Sequence, residues 1–103
     1  MYRQRWTCEV KYGHYRDFFE TMEELEKLIL ARGWKPSRYW MPTSGKDNQF
    51  ISETDYDSLA EWEQENQAFM KDAEVMDVIR KGTPHVVQGS SNNELLMTAE
   101  QVA

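Results

Sequence analysis

The order of hydrophobic patterns along this chain of 103 residues constrains its fold more than any other feature. Apolar residues first alternate at period two and then recur at three- and four-residue spacing. Two short extended runs separated by a turn follow, and then a second helical pattern and a final extended run. The predicted order is strand, helix, strand, strand, helix, strand. This βαββαβ order predicts an α+β sandwich in which a four-stranded antiparallel sheet carries the helices on one face and leaves the other face bare.

The first strand is predicted from Tyr2 to Tyr12, because apolar side chains favour its even positions and polar ones its odd positions. The more apolar even face should pack against the helices. The odd face should then lie on the bare side of the sheet, where charged groups need partners or water. It carries Arg5, Thr7 and Glu9, which we interpret as a dimer face. Arg5 and Glu9 could form an ion pair there or bind a polar ligand.

Two stretches have the spacing of amphipathic helices. The first runs from Tyr15 to Leu30. A capping-box pattern inside it allows a later start, but the unbroken apolar stripe favours the longer helix. The second stretch begins at Asp57 or Ser58, is broken near Asp72 and ends at Gly82.

The remaining strands are shorter. Residues Ser37 to Thr43 and Gln49 to Thr54 predict two strands, because a polar stretch that contains glycine separates them and is typical of a turn. The last strand is either His85 to Gln88 or Glu94 to Thr98, and we favour the second.

Length, charge and cysteine content limit the function classes that this chain can serve. Its length predicts one domain over residues 1–98 with a flexible tail at 99–103. A net charge of -6 and a pI near 4.9 oppose binding to nucleic acid and to anionic lipid. No stretch approaches the roughly 18 apolar residues that a membrane span requires. The single cysteine, Cys8, cannot form an internal disulfide, which favours the reducing cytoplasm.

Three local features of the chain are shared with a known superfamily. They are Val10-Lys11-Tyr12-Gly13 followed by Phe18-Phe19, the Arg32-Gly33-Trp34 exit from the first helix, and Leu59-Ala60-Glu61-Trp62 at the start of the second. With them the chain resembles the dimeric α/β barrel superfamily, which includes antibiotic-biosynthesis monooxygenases, haem-degrading monooxygenases and NIPSNAP-like proteins. The resemblance extends from about Arg5 to Thr98. It implies a ferredoxin-like fold in which two subunits press their bare sheet faces together as a dimeric α/β barrel.

The haem-degrading branch of this superfamily fits poorly. Its members would place an Asn on the first strand, a Trp on the second helix and a His further along that helix. This chain has Gln4, Trp62 and Asp72 at the corresponding places, so only the Trp matches. The resemblance therefore implies no tightly held cofactor.

The two histidines, His14 and His85, are the only side chains whose charge ordinarily changes near neutrality. His14 follows Gly13 at the predicted mouth of the fold and is the candidate general base. The alternative interpretation is that both histidines are ordinary solvated turn residues. Their wide separation in sequence, and the absence of paired His or Cys motifs, predict no metal site.

Five residues are candidates for ligand binding: Trp6, Arg38, Trp40, Trp62 and Asn66. Arg38 and Trp40 share a strand face, where they could hold a flat, partly anionic molecule or form an interface hot spot. Asn66 interrupts the apolar stripe of the second helix. Either it orients a substrate together with Trp62, or the helix is rotated so that Asn66 lies at the rim.

These observations favour a homodimer that binds a small aromatic or apolar molecule in a cavity between sheet and helices. The cavity is predicted to be bordered by Trp6, His14, Trp40, Trp62 and Asn66. One alternative, which the resemblance implies, is a cofactor-free monooxygenase or isomerase with His14 as its base. Another is a non-catalytic interaction module whose aromatic residues all belong to the core or to an interface.

Overall fold

The computed structural model describes residues 1–102 and confirms the predicted α+β, ferredoxin-like sandwich. Four antiparallel strands lie in the order β2-β3-β1-β4, with the helices on one face. The elements are β1 (Tyr2–Glu9), α1 (Tyr15–Ala31), β2 (Ser37–Trp40), β3 (Gln49–Tyr56), α2 (Leu59–Lys71), α3 (Ala73–Gly82) and β4 (Asn92–Met97).

The sequence placed most element boundaries within a few residues. The last strand is the favoured candidate. The alternative, His85 to Gln88, begins at the last residue of a 3-10 helix (Thr83–His85) and pairs through a single bridge between Val86 and Val10. The predicted break at Asp72 separates α2 from α3, because this residue has extended backbone angles and its carboxylate caps α3 by accepting the Val75 amide at 3.1 Å. β2 is shorter than the predicted strand from Ser37 to Thr43, because it ends at Trp40.

The end of the chain is described only in part. Residues Ala99–Val102 form a short 3-10 helix, and residue 103, which belongs to the predicted tail, lies outside the described residues. The flexibility of that tail stays a prediction. Within the described residues, no helix is long and apolar enough to cross a membrane.

Two clusters of buried side chains form the core between the sheet and the helices. Apolar burial of this kind is the main stabilising term in a domain of this size. α2 contributes no buried residue to either cluster, so this helix stands at the margin of the core. The clusters consist of Cys8, Val10, Phe18 and Phe50, and of Leu25, Ile29, Val75 and Val78.

Ion pairs cross the bare face of the sheet from strand to strand. Arg3 Nε lies 2.7 Å from Asp55, and this hydrogen bond lowers the pKa of the Asp55 carboxyl. Arg5 Nε lies 2.9 Å from Glu53, which is the partner opposite it in register. The expected pair between Arg5 and Glu9 is therefore wrong. Direct cross-strand neighbours are closer than residues four apart on one strand, and Glu9 contacts Lys46 instead.

Ser58 caps the N-terminus of α2, where its hydroxyl oxygen accepts the Glu61 amide at 3.1 Å. Ser58→Ala is expected to lower the free energy of unfolding by about 1 kcal/mol, because one of the first helical N–H groups loses its acceptor. Urea denaturation would measure the change. Ser58→Asp keeps an acceptor and serves as the control; equal destabilisation by both substitutions would contradict the capping role.

Candidate functional site

A cavity of about 770 Å³ lies between the sheet and the helices. It exists because α2 stands off the sheet and because small polar residues, not large apolar ones, form its floor on β2 and β3. The floor residues are Ser37, Ser52 and Thr54. Apolar and aromatic side chains form most of the walls, among them Trp6, Met22, Leu25, Ile29, Trp34, Phe69 and Val86.

Hydrogen bonds fix the polar side chains at one end of the floor. Trp62 Nε1 donates to Gln4 Oε1 at 3.2 Å, and Gln4 Nε2 donates to Asn93 Oδ1 at 3.1 Å. Nearer the other edge, the hydroxyls of Ser37 and Thr54 are 2.6 Å apart. The indole of Trp62 therefore ties the first half of α2 to β1 beside the cavity.

Asn66 is a half-buried polar side chain of the cavity whose hydrogen-bonding groups are all open. It lines the cavity from α2. Within the part of the chain that the structure describes, its side-chain amide makes no hydrogen bond. A side-chain amide has two donor hydrogens and an acceptor oxygen, so Asn66 can both donate hydrogen bonds to a ligand in the cavity and accept them from it.

One carboxylate and two phenols line the same cavity, namely Glu65, Tyr39 and Tyr56, and the carboxylate of Glu26 is bonded to one of these phenols. Both oxygens of Glu65 lie 3.2 Å from the Lys35 amide, and burial raises the pKa of Glu65. Glu26 accepts the Tyr39 hydroxyl in a short contact. Burial, aided by this hydrogen bond, raises the pKa of Tyr39 well above its ordinary value, and burial raises that of Tyr56 to about 12. Both phenols therefore stay protonated at neutral pH; the Tyr39 hydroxyl already donates to Glu26, whereas the Tyr56 hydroxyl can donate to a ligand.

Sequence reasoning did not propose Tyr39 or Tyr56 as site residues. A usable signal existed for Tyr39, because period-two alternation puts it on the opposite face of β2 from Arg38 and Trp40, towards the helices. Tyr56 lies two residues beyond the predicted end of its strand.

The structure brings together only some of the predicted site residues. Trp6 and Asn66 line the cavity, and Trp62 adjoins it through its bond to Gln4. Arg38 and Trp40 lie on the bare face of the sheet, where Arg38 contacts Asp55 at 3.1 Å. They do not border this cavity, because adjacent residues on a strand point to opposite faces. Their role in ligand binding stays a prediction.

His14 lies at the turn between β1 and α1, outside the cavity lining. Its Nδ1 is 3.0 Å from Nδ1 of His85, and both rings are half-buried. The predicted role of His14 as a base is not tested by this arrangement, but its ring has a partner that the sequence did not indicate. Among the described residues, no group of three or more His, Cys, Asp or Glu side chains could hold a metal ion.

Comparison with known proteins finds one family by sequence and similar folds among solved structures. The sequence profile of the NIPSNAP family matches residues 7–100. An uncharacterised NIPSNAP domain protein from Burkholderia xenovorans has a TM-score of 0.79 at 17% identity, with 96% of this chain and 95% of that chain covered. A NIPSNAP family protein of unknown function from Agrobacterium tumefaciens has a TM-score of 0.76 at 17% identity, with coverage of 96% and 88%.

A similar fold occurs in an antibiotic biosynthesis monooxygenase, which has a TM-score of 0.75 at 8% identity, with 96% of this chain and 99% of that chain covered. At this identity the likeness concerns the fold alone. No functionally curated protein matches the chain.

Proposed function

This chain belongs to the NIPSNAP family, and we propose that it is a homodimeric protein that binds a small aromatic or apolar molecule between its sheet and its helices. The observation that carries the proposal is the cavity of about 770 Å³ with the unpartnered amide of Asn66 on its wall. Small-molecule sites typically measure about 300–1,000 Å³ and combine apolar walls with a few placed polar groups. A purely structural module would be expected to fill most of this space with apolar side chains, because close packing stabilises a core.

The lining defines the chemistry of the ligand. Three aromatic side chains line the cavity, namely Trp6, Trp34 and Phe69. A flat aromatic ring therefore binds here with a more favourable free energy than an aliphatic chain of equal size. Asn66 can bind a group that donates and accepts at once, such as an amine, amide or hydroxyl. Glu65 on the same wall disfavours a ligand with a carboxylate at that end. We therefore propose a neutral, largely aromatic molecule with one polar group.

Binding is favoured over turnover by the arrangement of the titratable groups. The phenols of Tyr39 and Tyr56 stay protonated, and the Nδ1 of His14 is engaged by His85 outside the cavity. A monooxygenase or isomerase remains the second candidate. Loss of turnover in His14→Ala with an intact dimer would support that candidate. The single buried thiol, Cys8, suits a reducing compartment, and we place the protein in the cytoplasm.

The bare face supports dimer formation. Arg3 and Arg5 are paired with carboxylates across the strands, so a second copy could cover them without leaving a buried charge unpaired. Trp40 is 50% exposed on the same face, and burial of its apolar ring against a second copy would stabilise the dimer. We propose that two copies associate through this face, which includes the predicted residues Arg5, Thr7 and Glu9.

The test of ligand binding uses N-phenyl-1-naphthylamine, a neutral aromatic amine whose fluorescence rises in apolar surroundings. We expect one saturable site per chain with a dissociation constant on the order of 10–100 µM, since a ligand of this size gains roughly 0.3–0.4 kcal/mol per atom. Asn66→Leu should weaken binding about tenfold, because the amine loses its hydrogen-bond partner without loss of side-chain volume.

Gln67→Leu is the matched control, because it makes the same change at the next residue on α2, which is exposed. It should leave the affinity unchanged. Absence of saturable binding to the wild-type protein would refute the ligand-binding proposal, and equal weakening by both substitutions would refute the role of Asn66. Native mass spectrometry of protein isolated from its host would then identify a retained natural ligand.

A further inference from the structure

The sequence predicts no metal site, but the fold brings His14 and His85 together, and from this pairing we propose that the chain binds a divalent transition-metal ion of the copper or nickel class through the two Nδ1 atoms. The chain has no other histidine. The two residues are 71 positions apart, and the fold alone brings their rings together. This proposal does not depend on the ligand-binding function proposed above.

Backbone hydrogen bonds hold both histidines in place before any ion arrives. The Lys11 amide donates to the His85 carbonyl at 2.9 Å, and the His14 amide donates to the Lys11 carbonyl at 3.0 Å. The turn that carries His14 depends on Gly13, whose φ of 85° favours glycine. The 3-10 helix that carries His85 contains Pro84, which restricts its backbone. The backbone at both histidines is therefore fixed before an ion binds, and only side-chain freedom of the two rings is lost on chelation.

The two nitrogens are separated by the distance that a chelate requires. With metal–nitrogen bonds of about 2.0–2.1 Å, two adjacent ligands in square-planar or tetrahedral geometry lie about 2.8–3.4 Å apart. The Nδ1 atoms of His14 and His85 are 3.0 Å apart. In the metal-free protein, a proton on one Nδ1 bridges to the other. A rotation of each ring turns the two lone pairs towards a common point without changing this separation much.

The surroundings leave this pair available to a cation. Neither ring forms a hydrogen bond with a carboxylate or a hydroxyl in the described part of the chain. Both histidines are half-buried, so an ion from solvent can reach their rings. Water must fill the other coordination positions of the ion, because among the described residues no third His, Cys, Asp or Glu joins this pair. Two imidazoles with open positions suit tetragonal Cu²⁺ or Ni²⁺ better than a closed structural zinc site.

Metal binding would join two parts of the cavity wall. Lys11, whose carbonyl accepts the His14 amide, and Thr83 and Val86, on either side of His85, all line the cavity. A metal bridge between the rings would fix these two segments relative to each other. We therefore expect thermal stabilisation of the whole chain when the ion binds the native state.

The experiment titrates CuCl₂ into tag-free protein that has been treated with chelator, with isothermal titration calorimetry and electron paramagnetic resonance as readouts. We expect one ion per chain and hyperfine splitting from two nitrogens. His14→Gln and His85→Gln should each weaken binding about 100-fold, since a chelate gains this much over a single ligand through effective concentration. Glu74→Gln, a substitution at an exposed acid distant from the pair in the chain, should leave the affinity unchanged.

A second readout needs no variant and so does not depend on folding of the substituted proteins. Substoichiometric Cu²⁺ should broaden the amide resonances of residues 11–15, 83 and 85–87 in the wild-type protein before all others. Broadening at carboxylate-rich segments instead, or signals from a single nitrogen, would overturn the proposal. So would single-histidine variants that retain the wild-type affinity, because the ion would then not be bridged.

Discussion

Phe18→Ala is expected to lower the free energy of unfolding by about 3–5 kcal/mol. Phe18 is 1% exposed, and its ring packs edge-on against Phe50 with 4.9 Å between the centroids. Truncation removes this aromatic contact and leaves a void that the neighbouring β1 and β3 side chains cannot fill without moving. Because small domains are stable by only about 5–15 kcal/mol, the variant would lose a large part of its stability.

Urea denaturation at fixed protomer concentration would measure this loss, since subunit association would otherwise add to the apparent stability. Leu30→Ala, on the same helix, is the control; Leu30 is 56% exposed and its truncation should cost at most about 0.5 kcal/mol. Phe18→Leu should fall between the two. A cost below about 1.5 kcal/mol for Phe18→Ala would mean that the site collapses around the missing ring and that Phe18 is not a centre of the core.

The position of Phe18 could be predicted from sequence because periodicity reports which face of an element is buried. The same rule placed Cys8, on β1, and Val10, directly after it, on the helix-facing side of the sheet, where both are buried. Helix and strand order follows from such local patterns. The NIPSNAP resemblance was also visible in the sequence, because family signatures at turns and helix starts are local.

The candidate site was harder to predict, because it depends on contacts between distant segments. Trp6 and Asn66 could be named from the patterns of their own elements. The pairing of His14 with His85 could not, since it depends on how a turn and a 3-10 helix meet after the sheet has formed. The hydrogen bond from the Tyr39 hydroxyl to Glu26 could not be predicted either, because it links β2 to α1.

The ion pair expected between Arg5 and Glu9 illustrates the same limit. Sequence spacing identified both residues as members of one strand face, and this was correct. It could not supply the register of β3, which puts Glu53 opposite Arg5. The cross-strand pair changes the character of the bare face: its charges are largely satisfied within one subunit, so the face can be covered at lower cost.

Ile51→Lys is expected to weaken the proposed dimer about 1,000-fold. Ile51 lies on the bare face of β3, opposite Thr7 on β1 and Trp40 on β2. If a second copy covers this face, lysine there must bury an ammonium group without a prepared partner. Such an unpaired buried charge costs about 3–5 kcal/mol, and about 4 kcal/mol corresponds to a thousandfold change in the dissociation constant.

Sedimentation equilibrium on both proteins across a range of protomer concentrations would measure this change. Ile79→Lys is the matched control, because it makes the same substitution on α3, on the helical side of the sandwich. This variant should associate like the wild type, provided that circular dichroism confirms that both variants fold. A wild-type chain that stays monomeric at high concentration would contradict the dimer itself, whereas equal weakening by both substitutions would place the interface elsewhere. The comparison isolates the bare face because both variants gain one positive charge and lose one isoleucine, so only the position of the change differs.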